Sequence, residues 1–345
     1  MNYNELSSCH EEKKRCPSCS SLRTKKNGTI QSKIKTTRGY VNKCIQRYYC
    51  IDCKSSFTSY GKNVRKKISD SYKEDIVNDY VLSKSSLRDI AKRYKIGKSV
   101  ILNWLEKIST NYPEIKNTIN TDNDWSGLLL LDGKEIKNNG NKRTLLLAVD
   151  AINKKPISYM ICEKENKIYT KSFLNELKQI YPVKIKGITT DFGKGKCFLK
   201  VISETFPNVP HQICLVHYSR YVWLFIPRTR RSEFFFRNKM LKQLIKKIIF
   251  ADTRENSKYW LNKLNYYKPF FRAKYHERFI RSVNRNYKYL TERFEYNFLP
   301  TNTNVVENVI RQLERKLKNM DGIKSINNFS CLLKIWLYYY KISHN

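Results

Sequence analysis

The sequence predicts an α/β core preceded by two small domains. Three observations point there. Strand-like apolar runs and helical periodicity alternate from Gly127 to Val216. Two aspartates each close an apolar run next to glycine, Asp132 in GLLLLDGKEI and Asp191 in KIKGITTDFGKG. Upstream, two Cys-x-x-Cys pairs are followed by three short helical patterns.

The chain has 345 residues, enough for two or three domains and a sizeable core. Lys and Arg number 67 against 30 Asp and Glu, a formal charge of +37. The excess is spread along the chain: 15 basic against 4 acidic residues over 1–66, and 20 against 6 over 218–300. A basic tail therefore does not account for it, and such a field favours a polyanionic partner, nucleic acid first. Two carboxylates brought together in this setting repel unless a cation lies between them, so the two aspartates suggest a magnesium site. No apolar run approaches the ~18 residues of a membrane span, and MNYNELSSCHEEKK lacks the apolar centre of a signal peptide. The expected location is intracellular, in the cytoplasm or nucleoid, or the nucleus of a eukaryote. Its ten cysteines then read as metal ligands or buried thiols rather than disulfides.

Residues 1–66 read as a zinc ribbon. Cys16-Pro-Ser-Cys19 and Cys50-Ile-Asp-Cys53 supply four thiolates from two tight turns, the donor set of tetrahedral structural Zn2+. The Lys/Thr/Tyr-rich segment between them reads as hairpin strands, with RYYCIDCKSSFTSY as a second arm. Cys9, His10 and Cys44 fall outside the paired spacing and are not expected as ligands. So short a segment buries little core, and zinc would supply its folding energy.

Residues 67–110 read as a helix-turn-helix domain. The first helix covers Tyr72 to Leu82; Ser85 or Ser86 caps the second, with Leu87, Ile90, Ala91 and Tyr94 on one face. Lys95-Ile96-Gly97 makes the turn, and the third helix, Lys98 to Ile108, carries Val100, Ile101, Trp104, Leu105 and Ile108. Lys98, Ser99 and Asn103 are then placed to enter the DNA major groove. Residues 111–126, polar and containing Pro113, read as a linker.

From 127 to 217 the pattern gives strands at Gly127–Lys137, Thr144–Ala151 and Pro156–Glu163, and a helix at Tyr169–Ile180. A strand at Val183–Thr190, a helix at Gly195–Phe206 and a strand at His211–Val216 follow. Three antiparallel strands followed by helix, strand, helix, strand is the order of the ribonuclease H-like fold. Its first strand is central and its fourth lies alongside, which makes Asp132 and Asp191 neighbours. Residues 301–345 are the C-terminal part. There TNTNVVENVIRQLERKLKNMDG is a strong helix, capped by Thr303 or Asn304 and ended by Gly322. Its buried stripe is Val306, Val309, Ile310, Leu313 and Leu317, and Lys316 and Lys318 sit near its last turn. Glu307, beside that stripe in the first turn, is expected to complete the acidic site. Glu314 is the rival, about 10 Å further along the axis.

The layout resembles the DDE transposases of insertion sequences, most closely the Mutator-like group. LLLLDGKEI matches the first Asp, TTDFGKG the second, NTNVVEN the Glu, and Cys214-Leu-Val-His217 the CxxH that follows the second Asp. The cysteine pairs with RYYCIDCKSSFT, followed by helix-turn-helix, resemble the N-terminal part of many such enzymes. The 115 residues between Asp191 and Glu307 match a family in which that gap holds an all-helical insertion, which the resemblance places at residues 218–300, with 301–345 returning to the core.

The resemblance implies magnesium- or manganese-dependent DNA cleavage and strand transfer, with two ions held by Asp132, Asp191 and Glu307. It implies double-stranded transposon-end and target DNA as partners, and a homo-oligomer on paired ends. Cys214 and His217 would have a structural or DNA-positioning role, with zinc a minor alternative. Arg228, Arg230, Arg231 and Arg237, set among aromatics, would contribute to a DNA surface. The other readings are a domesticated, inactive DNA-binding regulator and a ribonuclease H-like nuclease.

Overall fold

The structure, a computed structural model, describes residues 14–36, 38–58, 67–118, 125–138, 141–180, 185–191, 197–227, 234–320 and 325–343. Cys9, His10, Arg228, Arg230, Arg231 and Gly322, singled out above, lie outside these. The chain divides into two units, 1–80 with 88–104, and 81–87 with 105–345.

The first unit is built on a long hairpin, β1 (Thr24–Thr36) and β2 (Gly39–Cys50), paired from Thr24↔Cys50 to Thr36↔Gly39. Gly28 takes a φ of +70° where the register slips between Lys26 and Thr29, a bulge suited to glycine. β3 (Ser56–Thr58) adds to β2, and β4 (Lys67–Ile68) pairs with β1 in parallel, so the sheet runs β3-β2-β1-β4.

Three helices follow in the chain: α1 (Asp70–Leu82), α2 (Leu87–Tyr94) and α3 (Lys98–Ser109). Arg93 and Tyr94 of α2 both bond Asp79 of α1, at 2.5 and 2.9 Å. Ile76, Val77, Tyr80, Ile90 and Ile101 are buried. The turn between α2 and α3 runs over Lys95-Ile96-Gly97. Its left-handed residue is Lys95 (φ +54°), and the Ile96 amide closes back on the Ala91 carbonyl at 3.0 Å, a helix-ending hydrogen bond. Val100, read among the apolar residues of the third helix, is exposed.

The second unit is built on a five-stranded sheet. β5 (Leu128–Asn138), β6 (Asn141–Asp150) and β7 (Pro156–Cys162) are antiparallel, with β8 (Gly187–Thr190) and β9 (His211–Ile213) parallel to β5. The order is β7-β6-β5-β8-β9, so β5 is central. Its run of four leucines, buried on both faces, suits that place. Leu129, Leu131, Leu146, Ala148 and Ile188 pack on α4 (Lys167–Ile180) and α5 (Cys197–Thr205), through Phe173, Leu177, Phe198 and Ile202. α10 (Asn304–Lys318) lies against β5 and β6, and α11 (Ile326–Ile342) against β7.

Two expectations change here. The strand read over His211–Val216 stops at Ile213, and α6 (Leu215–Phe225) begins at once with Cys214 as its N-cap. β9 needs only three residues to pair with the short β8, and Cys214 N–H bonds the Thr190 carbonyl at 2.8 Å as the chain turns away. The segment read as a linker is partly packed: Tyr112 and Ile115 are buried, and the Tyr112 hydroxyl lies 3.0 Å from that of Tyr339 on α11.

The helices between β9 and α10 have their own core. α6, α7 (Phe235–Ile249), α8 (Arg254–Tyr266) and α9 (Lys274–Thr291) enclose Tyr218, Val222, Leu241, Ile245, Leu264, Phe279 and Val283. No described helix is long and apolar enough to cross a membrane.

Candidate active site and cysteine cluster

Asp132 ends the apolar run of β5, but the strand continues to Asn138, paired with β6 throughout. Its carboxylate is therefore held at mid-sheet and is only 8% exposed. β8 lies beside β5 in the register Leu131↔Thr190, and the Asp191 amide reaches the Leu131 carbonyl at 3.4 Å. The two aspartates thus stand next to each other at the point where β8 ends.

Glu307 arrives from α10. Ahead of that helix, Thr189 Oγ1 donates to the Pro300 carbonyl (2.8 Å), and the Leu215 amide donates to the Thr301 carbonyl (2.9 Å). These bonds fix the helix start over the end of β8. Thr303 is the N-cap residue, yet its hydroxyl caps no helical N–H. It instead donates to Glu307 Oε1 at 3.2 Å and lies 3.2 Å from His217 Nδ1.

His217, in the first turn of α6, is the hub. Its Nδ1 is 3.2 Å from Asp191 Oδ1, 3.6 Å from Glu307 Oε1 and 3.3 Å from Cys214 Sγ. Arg220, one turn along, reaches Glu307 Oε2 at 3.7 Å. The expected residues Asp132, Asp191, Glu307, Cys214 and His217 are thereby gathered together. The first two and the last of the acids line an open cleft of about 590 Å³ with His217, Arg220 and Arg311. Glu314, the rival acid, also borders the cleft but is engaged by Lys134 at 2.6 Å.

Burial and the charges of neighbouring groups set the electrostatics of the site. Burial pushes the Asp132 carboxyl up to about 7, and the charge of Asp191 adds to this against the opposing pull of His217 and the Gly133 amide. Burial alone would lower His217, but its bond to Cys214 and the charges of Asp191, Cys214 and Glu307 outweigh it and carry the imidazole to about 9. Burial raises the Cys214 thiol, yet hydrogen bonds with His217 and Thr303 leave it below its ordinary value.

A fourth acid was not anticipated. Glu165, between β7 and α4, sits so close over Gly133 that a Cβ there would lie 2.8 Å from its Oε2. Its Oε1 is buried without a partner among the described residues, and burial, then Asp191, raises its pKa. The only signal in the sequence was an acid in an acid-poor chain.

In the first unit, Cys16, Cys19, Cys50 and Cys53 bring their sulfurs within 4.8 Å of one another. Cys16 and Cys53 are 3.5 Å apart, and Cys19 and Cys50 3.6 Å. Tetrahedral zinc–thiolate geometry places sulfurs about 3.8 Å apart, so the donors fit that ion. The two turns are built alike. The Cys16 amide bonds the Ser21 carbonyl and the Cys50 amide that of Ser55, both at 2.9 Å, with Ser20 and Lys54 left-handed at +59° and +55°. The Ser55 hydroxyl draws the Cys16 thiol down to about 5 and lowers Cys53. The Ser21 amide also favours the Cys19 thiolate, but the neighbouring thiols, Cys53 first, push it up to about 12. Four sulfurs this close cannot all be anions without a cation. Cys44 is exposed on β2, outside the cluster.

Of the residues expected to meet DNA, Lys98, Ser99 and Asn103 are exposed on α3. Arg237 lies over the rings of Phe270 and Phe234, at 4.9 and 5.6 Å, so part of its guanidinium face is covered by aromatics.

The chain has relatives among known proteins. A curated protein of Methanobrevibacter smithii, described as the insertion element ISM1 uncharacterized 48.3 kDa protein, is 27% identical over 212 residues, 59% of this chain and 50% of that one. The chain thus spans about half the length of the curated relative it matches. Among solved structures, the simian T-cell lymphotropic virus intasome in complex with PP2A regulatory subunit B56 gamma matches at TM-score 0.23 and 14% identity. That match covers 55% of this chain and 68% of that one. The Mos1 transposase paired-end complex with left transposon end matches at TM-score 0.22 and 15% identity, covering 69% and 82%. Superpositions at these scores carry no argument about fold. The model of the family described as "Transposase, Mutator family" matches residues 133–327, starting one residue after Asp132 and spanning Asp191, Cys214, His217 and Glu307. The chain belongs to the Mutator family of transposases.

Proposed function

We propose that the chain binds the ends of a mobile element and catalyses divalent-metal-dependent DNA cleavage and strand transfer, with Asp132, Asp191 and Glu307 as the catalytic acids. One observation carries this reading: three carboxylates far apart in the sequence line one cleft, in a protein of net charge +37. The strand order β7-β6-β5-β8-β9 supports a ribonuclease H-like core with the helices of 218–300 as its insertion.

The donor set fits magnesium or manganese, which prefer carboxylate oxygen. Two such ions, when bound, activate an attacking water or DNA 3′-hydroxyl and stabilise the departing oxygen. The chain's own residues do the positioning. Asp132 is fixed by the sheet, and Asp191 by its place at the strand end. His217 and Thr303 hold Glu307 toward them. Arg220 and Arg311, on the rim of the cleft, are placed to attract the phosphodiester.

The four cysteines would hold structural zinc in a ribbon, and Lys98, Ser99 and Asn103 would reach DNA from a helix-turn-helix. Double-stranded end and target DNA would be the partners, with a homo-oligomer on paired ends and an intracellular location.

The test uses labelled duplexes taken from the DNA on either side of the coding region, incubated with the full chain and magnesium. Nicking and strand transfer are expected. Asp132→Asn should lose at least ~10³-fold in cleavage while keeping DNA binding, as loss of a direct metal ligand demands. Binding without cleavage by the unaltered chain, or cleavage surviving in Asp132→Asn, would overturn the reading.

A further inference from the structure

We propose that Cys214, His217 and Glu307 form a second metal site, one for a transition-metal ion of the zinc class, which shares Glu307 with the oxygen-donor site beside it.

Thiolate, imidazole and carboxylate donors lie here within 4.8 Å of one another. This set is foreign to magnesium, which takes oxygen almost alone, and is typical of zinc and its neighbours. The spacing also fits. Ideal tetrahedral zinc puts sulfur and nitrogen about 3.6 Å apart and nitrogen and oxygen about 3.3 Å apart. The structure has Cys214 Sγ to His217 Nδ1 at 3.3 Å and His217 Nδ1 to Glu307 Oε1 at 3.6 Å. One ring nitrogen therefore faces both other donors, as a shared ion requires. Cys214 is wholly buried as the N-cap of α6 and cannot swing away. His217 lies three residues on and thus on the same face. Asp191 Oδ1, 3.2 Å from the same nitrogen, stands ready as a further oxygen donor.

The consequence for the reaction rests on the proposed role of Glu307. A zinc ion here would hold that carboxylate away from the magnesium cluster, so zinc would oppose magnesium-supported cleavage.

The experiment reads metal binding. The full chain is loaded with one equivalent of Zn2+, which the four-cysteine cluster takes first, and is then titrated with Co2+. A second ion should bind with a thiolate-to-cobalt absorption band of single-thiolate strength. Cys214→Ser should abolish that band and weaken the second site by about 100-fold or more. Loss of a residue that merely orients a ligand already costs ~10–100-fold. His217→Asn should weaken it likewise, and serves if Cys214→Ser does not fold. Asp132→Asn should bind both ions unchanged, so failure of the cleavage reading and failure of this one separate cleanly. No second ion in the unaltered chain, or a second ion whose band survives both Cys214→Ser and His217→Asn, would overturn the proposal.

Discussion

The two polar clusters of this chain, four sulfurs in the first unit and the acids of the second, are assembled by opposite means. The sulfurs come from two matching turns, each of which positions its own pair through local backbone bonds, Cys16 to Ser21 and Cys50 to Ser55. Little core surrounds them; Cys16, Cys50, Phe57 and Tyr48 make the small apolar cluster at that end. The acids come from β5, the end of β8 and α10, and nothing local positions them relative to one another. Asp132 and Asp191 are placed by strands over a large apolar sheet core and Glu307 by bonds around the start of α10, so the site persists because the fold does. A metal ion should therefore be a folding element for the first cluster and only a bound cofactor for the second.

The largest expected effect breaks the first half of that contrast. Stripping the metal, or replacing Cys50 with serine, should remove most of the order of residues 14–58, since structural zinc contributes on the order of 10 kcal/mol in such small domains. Hydrogen exchange is the readout. Amides of β1 and β2 should lose protection while those of β5, β6 and β8 keep theirs. Equal loss in both regions, or in neither, would end the distinction.

Legibility in the sequence follows the same divide. The cysteine pairs declare themselves because their spacing is the geometry, and the left-handed Ser20 and Lys54 are the part that spacing did not reveal. The acids were found only through the topology inferred around them, and the signal that marked them is ambiguous. Asp150 also ends an apolar run, TLLLAVD, and is wholly buried. It serves the turn after β6, accepting from the Ser126 amide and hydroxyl and from the amides of Ile152 and Asn153. Its charge is met by the backbone, whereas that of Asp132 is met by one amide and opposed by Asp191. Sequence patterning placed both on strands, and only the glycine after Asp132, where Asp150 has Ala151, set them apart. Glu165 escaped because its contact with Gly133 depends on where a loop crosses a strand. His217 was noticed as half of a CxxH, but its place as the hub depended on a helix beginning where a strand was expected.

The next effect sharpens the second half of the contrast through pH. In the metal-free protein Asp132 has its pKa raised to about 7, above the 3.8 of an ordinary aspartate. The native state then binds the proton more tightly, so this group's contribution is fully present below about 4 and is lost as pH rises to about 7. The cost is roughly 4 kcal/mol at most by the linkage relation. His217, raised from 6.5 to about 9, acts in the same direction over the next window, its contribution being present below 6.5 and lost through about 9. The Asp132-dependent part of metal-free stability should thus fall between pH 4 and 7, against the opposite slope of the buried His211 and His276, whose lowered pKa values favour the native state as pH rises to 6.5. Magnesium should restore that part at pH 8 and do little at pH 5, where protons compete for the same oxygens. Denaturant titrations of the unaltered chain and of Asp132→Asn, with and without magnesium, measure this. The variant should be flatter with pH and less responsive to magnesium. A variant that falls as steeply as the unaltered chain would remove Asp132 from the account.

The smallest effect separates the two acids of α10. Glu307 and Glu314 both border the cleft, on one helix and two turns apart. Glu307 is 29% exposed and faces His217, Thr303 and Arg220. Glu314 has a lysine for company instead, Lys134 at 2.6 Å, with both side chains more than a third open to solvent. An ion pair that exposed contributes about 0–1 kcal/mol. Glu314→Gln should therefore change stability by less than about 1 kcal/mol and cleavage by only a few-fold, the residue that remains of a weak rim pair. Glu307→Gln should lose cleavage as Asp132→Asn does while leaving the fold intact, because its carboxylate is placed by bonds on either side of the helix start and not by packing. If the two variants exchanged these outcomes, the third acid of the site would be Glu314. The arrangement of His217 and Thr303 around Glu307 would then be support for the start of α10 and nothing more.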